Sequence, residues 1–186
     1  MLLWILLAVV VLALLWLMWS YNRLIRLRNE AEQGFSSIDI QLKRRADLIP
    51  NLVETVKAYA AHEKQVFEDV ARARSDVLAA QSVGDAARAE QQMRGALGRL
   101  FAVAEAYPQL RASENFKALQ EELSDTEDKI AAARRFYNNV VQRFNTAQQT
   151  FPTALVAGAL GFHPREFFEL DDEGDRAPVS VDMSGT

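Results

Sequence analysis

The chain has 186 residues, a formal net charge of −4 and no cysteine. That length suffices for one domain and an appendage, and the missing thiols exclude disulfides and thiolate chemistry. The last stretch, "DDEGDRAPVSVDMSGT" (171–186), holds five acids against Arg176 and carries the whole net charge, and the neutral remainder gives nucleic acid no basic footprint.

The opening "MLLWILLAVVVLALLWLMWS" (residues 1–20) has no charged side chain. Twenty helical residues reach roughly 30 Å, the thickness of a bilayer core, so a transmembrane helix is expected. Trp16, Trp19 and Tyr21 suit the aromatic belt at its exit. A cleaved signal peptide is the competing reading, but it would need a basic leader and a small-x-small cleavage site, and both are missing. No Lys or Arg precedes the span, whereas Arg23, Arg26 and Arg28 follow it. The positive-inside rule then predicts a single-pass inner-membrane protein with its N-terminus outside and its body cytoplasmic. The three arginines stand beside membrane lipid, where each contributes about 1 kcal/mol against anionic headgroups.

Past the span, apolar residues recur every three or four positions. The first run is Tyr21, Leu24, Ala31, Phe35, Ile38 and Leu42, interrupted by Arg28. The same phase resumes at Ile49, Leu52, Val56, Tyr59, Val66, Val70, Ala73 and Val77, interrupted by Glu63. Between the two runs lies "LKRRADLIPNLVETV" (Leu42 to Val56). The unbroken phase allows one kinked helix from the membrane to Gln81. A turn near Arg44 to Asp47 is the other reading, with Asp47 as N-cap and Pro50 in the first turn, where its missing N–H is harmless. The turn keeps Arg45 out of the apolar stripe and is the expected form. Lys43 lies roughly 35 Å beyond the span, several Debye lengths of about 8 Å, so lipid charge does not reach it. Lys43 is expected to pair with Asp39 on the same helix face. Arg44 and Arg45 are expected to meet acids of a neighbouring helix, such as Glu127, or of another subunit.

"QSVGDA" (Gln81 to Ala86) breaks the pattern, with Asp85 as the next N-cap. A third run follows through Met93, Leu97, Leu100, Ala104 and Tyr107. "AYPQLRASENF" (Ala106 to Phe116) supplies Pro108 as a stop and Ser113 as a cap. The fourth stripe is the most regular: Phe116, Leu119, Leu123, Thr126, Ile130, Ala133, Tyr137, Val140, Phe144, Ala147 and Phe151. No segment sustains period-two alternation, so the fold is all-α. Four segments of about 25, 33, 22 and 37 residues suit antiparallel packing of long helices over 21–150.

"FPTALVAGALGFHPREFFEL" (151–170) is apolar but too short, and too interrupted by Pro152 and Pro164, to span a bilayer. Its aromatics, among them Phe162, Phe167 and Phe168, must pack somewhere. The chain's own bundle comes first, and a neighbouring subunit or the lipid surface second. Residues 171–186 are expected to be a disordered acidic tail.

Catalytic constellations are missing. "HEKQV" (His62 to Val66) starts like a zinc-protease helix but lacks the second His, so His62-Glu63 reads as a polar helix face. Neither His follows a Glu by three positions, as a di-iron bundle needs. Glu121, Asp125 and Asp128 share a helix face and read as a solvated stripe paired with bases such as Lys129. No phosphate loop and no serine or cysteine nucleophile motif occurs. No enzyme activity, cofactor or metal is expected.

"YNRLIRLRNEAEQGFSSIDIQLKRRADLIPNLVETVKAYAAHE" strongly resembles the signature region of the LemA family. "YPQLRASENFKALQEELSDTEDKIAAARRFYNNVVQRFN" and "FPTALVAGALGF" resemble its second half. One departure is Phe35-Ser36, where the family usually has Trp-Ser. The resemblance implies a bacterial protein with one N-terminal membrane helix and an up-and-down four-helix bundle, and it implies no established catalytic activity. The expected function is a membrane-anchored helical scaffold that works through protein contacts, chiefly homo-oligomerisation, in membrane organisation or remodelling. The alternative is an adaptor or regulator of a membrane protease or envelope-stress complex, with a membrane protein as partner.

Overall fold

The computed structural model describes residues 1–169; the acidic tail expected at 171–186 lies outside the described residues. Most of the described residues are helical, and none forms a strand. Helix α1 (Leu2–Lys57) comprises 56 residues and runs from the apolar N-terminus through the whole height of the bundle, about 84 Å at the usual rise. Helices α2 (Lys64–Ala79), α3 (Val83–Glu105), the short α4 (Pro108–Ala112) and α5 (Glu114–Gln149) follow. Pairings along the chain give the directions. Glu30 meets Arg143 near the span, and Arg45 meets Glu127 farther up. As α1 ascends, α5 therefore descends beside it. Short connections make α2 and α3 the two intervening arms of an up-and-down four-helix bundle.

The corner expected within Leu42 to Val56 does not form. The helix continues through Asp47, which is exposed in mid-helix and caps nothing, and through Pro50, which lies inside the helix. The reversal comes instead at Ala58 to Glu63. A proline in a helix interior costs about 3 kcal/mol, chiefly through the missing i→i−4 bond. On the other side stand Ile49, Leu52 and Val56, each at most 1% exposed. Burying such side chains contributes about 1.5–3 kcal/mol apiece, so keeping the stripe in phase outweighs the proline. The lost bond is also replaced. Pro50 cannot donate to the Ala46 carbonyl, and the half-buried Arg74 of α2 donates its Nε–H to that oxygen at 2.8 Å. His62 lies in the turn and Glu63 is the N-cap residue of α2, so neither belongs to a helix face as expected.

Other boundaries shift less. Ser82, and not Asp85, is the N-cap of α3: its hydroxyl accepts from the Asp85 N–H at 3.0 Å and donates to the Asp85 carboxylate at 2.7 Å. That bond from Ser82, reinforced by Arg88, holds the Asp85 carboxyl below its ordinary pKa. Phe151 falls outside the fourth stripe, because α5 ends at Gln149 and Phe151 is exposed. On α1 the buried stripe passes through Leu27, Ala31, Gly34 and Ile38. Gly34 lets α5 approach closely, since a Cβ there would sit 3.3 Å from the Tyr137 Cα.

Sixteen residues of α2 extend roughly 24 Å, so α2 cannot follow α1 down to the span. The C-terminal segment completes the lower part. Past a short 3-10 turn (Thr153–Leu155), the chain reverses and lies along α5 as an extended strap. Leu24, Leu27, Phe144, Ala147, Ala157 and Phe162 form a second apolar cluster there. The strap's backbone would be left without partners beside a helix. Two asparagines seven positions apart on α5 supply them. Asn145 accepts from the Arg165 N–H at 2.9 Å and donates to the Arg165 carbonyl at 2.9 Å. Asn138 does the same with Phe168, at 2.8 and 3.1 Å. Between them the Tyr137 hydroxyl donates to the Glu166 carbonyl at 2.8 Å. Phe168 enters the main core at 1% exposure, and Arg165 reaches Glu32 of α1 at 2.6 Å.

Two outcomes are expected. Arg74→Met should destabilise the full chain by about 1–3 kcal/mol, because the Ala46 carbonyl loses its donor. In a Pro50→Ala background the loss should shrink, since residue 50 then supplies an N–H of its own. Denaturant melts of the four chains in detergent would show this coupling, and equal losses in both backgrounds would refute it. Burial pushes the Tyr137 phenol pKa above its ordinary 10.0. The folded state keeps it neutral where the unfolded chain already ionises. Its contribution is thus complete below pH 10 and declines as pH rises through the folded value. Tyr137→Phe should cost about 1 kcal/mol at neutral pH and flatten the alkaline decline, read from melts across that range.

Candidate functional site

The basic cluster is where a site was expected, and every member of it has a partner inside the chain. Lys43 bonds Asp39 at 2.7 Å on the same exposed face of α1. Arg44 reaches Glu122 of α5 at 3.3 Å. Arg45 turns inward, 2% exposed, onto Glu90 of α3, which is fully buried. Its second Nη also donates to Glu127 of α5 at 2.6 Å. Arg94 closes the group, 2.6 Å from Glu127 and 3.7 Å from Glu90. Two guanidinium groups thus meet two carboxylates across α1, α3 and α5. The balance is neutral, and the forked Arg45 contacts satisfy a geometry that Lys could not. Glu127 is a partner that sequence could suggest. Glu90 was missed, although it continues the three-four register of α3 three positions before Met93. That placement signals a buried acid, but its partner is evident only once α1 delivers Arg45 opposite it.

Ion pairing thus satisfies the charges of this cluster within the chain. Asp125 bonds Lys129 at 2.6 Å, so one member of the acidic stripe is neutralised on its own helix. Among the described residues, no group of three or more His, Asp or Glu side chains converges as a metal site would.

The membrane-side candidates lie elsewhere. Arg23 stacks on the Trp19 ring, 5.5 Å from its centroid, and Arg26 is exposed without an ion-pair partner among the described residues. Arg28 is half-buried, with its Nε shielded and unbonded. A groove of about 650 Å³ opens between α1 and the start of the C-terminal turn, lined by Trp16, Trp19, Arg23, Arg26, Arg143 and Phe151 among others. Of the three candidate phenylalanines, Phe162 and Phe168 are buried in the bundle and Phe167 is 39% exposed. The Phe162 ring meets Tyr21 at 5.7 Å and Phe144 at 6.3 Å, which fastens the turn to the base of α1.

The sequence model of the LemA family matches residues 34–183. The magnetosome protein MamQ of Magnetospirillum gryphiswaldense is 26% identical over 185 residues, covering 86% of this chain and 68% of that protein. A magnetosome protein MamQ 2 of Paramagnetospirillum magneticum is likewise 26% identical, over 90% of this chain and 71% of its own length. Protein LemA of Metamycoplasma hominis is 30% identical over 156 residues, 81% of this chain and 69% of that one.

Truncating one member of the buried pair should be costly. Arg45→Met or Glu90→Met alone should lower stability by about 3–5 kcal/mol, because each strands a charge. The double variant should recover most of that loss, since Arg94 and Glu127 still neutralise each other. Thermal melts of the full chain in detergent read this directly; additive losses would contradict it.

Proposed function

This chain belongs to the LemA family, and on that premise we propose that it is a non-enzymatic, membrane-anchored helical scaffold acting through contacts between copies of itself. The carrying observation is the unbroken α1. A single helix joins the apolar span to the far end of the bundle, with Pro50 absorbed on the way. The body is therefore a rigid post, held at a fixed angle to the bilayer and standing roughly 55 Å from it. The first helix crosses the inner membrane once, and the arginines after it keep the body cytoplasmic. Contacts between posts fall to the outer sides of the two longest helices, where Ile40 of α1 and Phe136 of α5 remain exposed. Relatives named as magnetosome proteins support a part in organising or reshaping a membrane.

Two measurements test this. A reporter fused after Thr186 should be active only in the cytoplasm; activity outside would reverse the orientation. Light scattering of the full chain in mild detergent should show a large homo-oligomer, reduced by Ile40→Asp with Phe136→Asp. A small particle that gains mass only with a second protein would instead support the adaptor reading.

A further inference from the structure

Among the described residues outside the span, two apolar side chains are far more exposed than the rest. Phe151 is 77% and Leu155 74% exposed, against 58% for Ile40, the next. Both sit in the turn that follows α5, four positions apart and around the 3-10 segment Thr153–Leu155. The turn has a packed side: Ala157 and Phe162 bury against Leu24, Leu27 and Phe144. Phe151 and Leu155 are left on the outside. Single exposed hydrophobics are ordinary on soluble surfaces, so exposure alone decides nothing.

Position decides it. Phe151, Pro152 and Thr153 share one groove with Trp16 and Trp19, the aromatics at the end of the apolar span. Trp16 and Leu17 are already half-buried and Ser20 is buried, although the preceding helix is exposed. The turn thus stands level with the last turn of the span, and its exposed apolar surface continues that of the span. The polar part of the groove is basic. Arg23, Arg26 and Arg143 line it, against Glu30 alone among the acids. Arg143 is shared with Glu30 at 3.1 Å. Arg23 lies four positions beyond Trp19, about 6 Å along the helix, at the height where headgroup phosphates sit above an aromatic belt. The strap bonds from Asn145 and Asn138 hold the segment after the turn on the bundle.

We propose that the turn at 150–155 is a second membrane contact, seating Phe151 and Leu155 in the bilayer interface beside α1 while Arg23, Arg26 and Arg143 bind the headgroup of an anionic phospholipid in the groove. The inference rests on the membrane-anchored reading above. A short apolar element with basic flanks is the usual form of an interfacial anchor, and arginines at this depth attract anionic lipid. With two contacts at its base, the post is fixed in rotation about α1 as well as in height.

The chain has no native cysteine, so single-cysteine variants carry one label each. Leu7→Cys, Tyr59→Cys, Phe151→Cys and Leu155→Cys would be labelled with a nitroxide in the full chain. The protein would be placed in nanodiscs of phosphatidylcholine containing phosphatidylglycerol. Accessibility to oxygen and to a water-soluble nickel chelate reads the surroundings of each label. Positions 151 and 155 should resemble position 7, reached by oxygen and shielded from nickel, while position 59 is open to nickel. If position 7 is in lipid and 151 and 155 behave like 59, this inference fails and the anchored reading stands. If position 7 is itself open to nickel, both fail. Shielding of 151 and 155 from both reagents marks protein burial and overturns the lipid assignment. Native mass spectrometry tests the groove. The full chain should retain several-fold more phosphatidylglycerol than phosphatidylcholine, and Arg23→Gln with Arg26→Gln should abolish the preference. An unchanged preference would remove the headgroup site.

Discussion

A proline at position 50 takes one N–H out of α1, and the Arg74 guanidinium restores a donor to the carbonyl that N–H would have served. That contact lets a single helix run from the apolar span to Lys57. The remaining architecture follows. With α1 unbroken, the reversal moves to Ala58–Glu63, α2 becomes short, and the lower half of the α1–α5 pair needs another cover. The exchange is favourable because the buried stripe on either side of Pro50 keeps one phase. Breaking the helix would have withdrawn Ile49, Leu52 and Val56 from it.

The same continuity carries Arg45 into the core. In water an arginine is cheap to keep; at 2% exposure it needs a full set of acceptors. Glu90 and Glu127 provide them from two different helices, and Arg94 restores neutrality. Apolar contacts tolerate sliding by a fraction of a turn, whereas a forked guanidinium does not. The network therefore selects one register of α1 against α3 and α5. Of the basic cluster, Arg45 and Arg44 join α1 to its neighbours, whereas Lys43 pairs with Asp39 on its own helix.

At the membrane end, side chains do what a helix would otherwise do. Asn145, Tyr137 and Asn138 bond the backbone of Arg165, Glu166 and Phe168, which fastens an extended segment against α5. This arrangement brings Phe162 to Tyr21 and sets the exposed turn beside the span.

Much was legible from the residues alone. Uncharged residues at 1–20 need an apolar surrounding whatever the rest does, and three-four stripes need helical partners, so the apolar helix and the all-helical fold are properties of the sequence pattern. The LemA signature was equally readable. The turn was not, because "AYAAHE" at Ala58–Glu63 holds neither proline nor glycine while the nearby Pro50 looks like a stop. Pattern sees the cost of a proline but not a distant arginine that offsets it. For the same reason Arg45 in the stripe counted against the continuous helix, when its partner Glu90 lies 45 positions away on another element. Asn138 and Asn145 look like ordinary polar positions until a strap is laid across them. What the sequence determined was the period and polarity of each segment, which local geometry enforces. What only the tertiary structure decided was which charges and carbonyls meet, because those energies arise between elements and exist once the elements are packed.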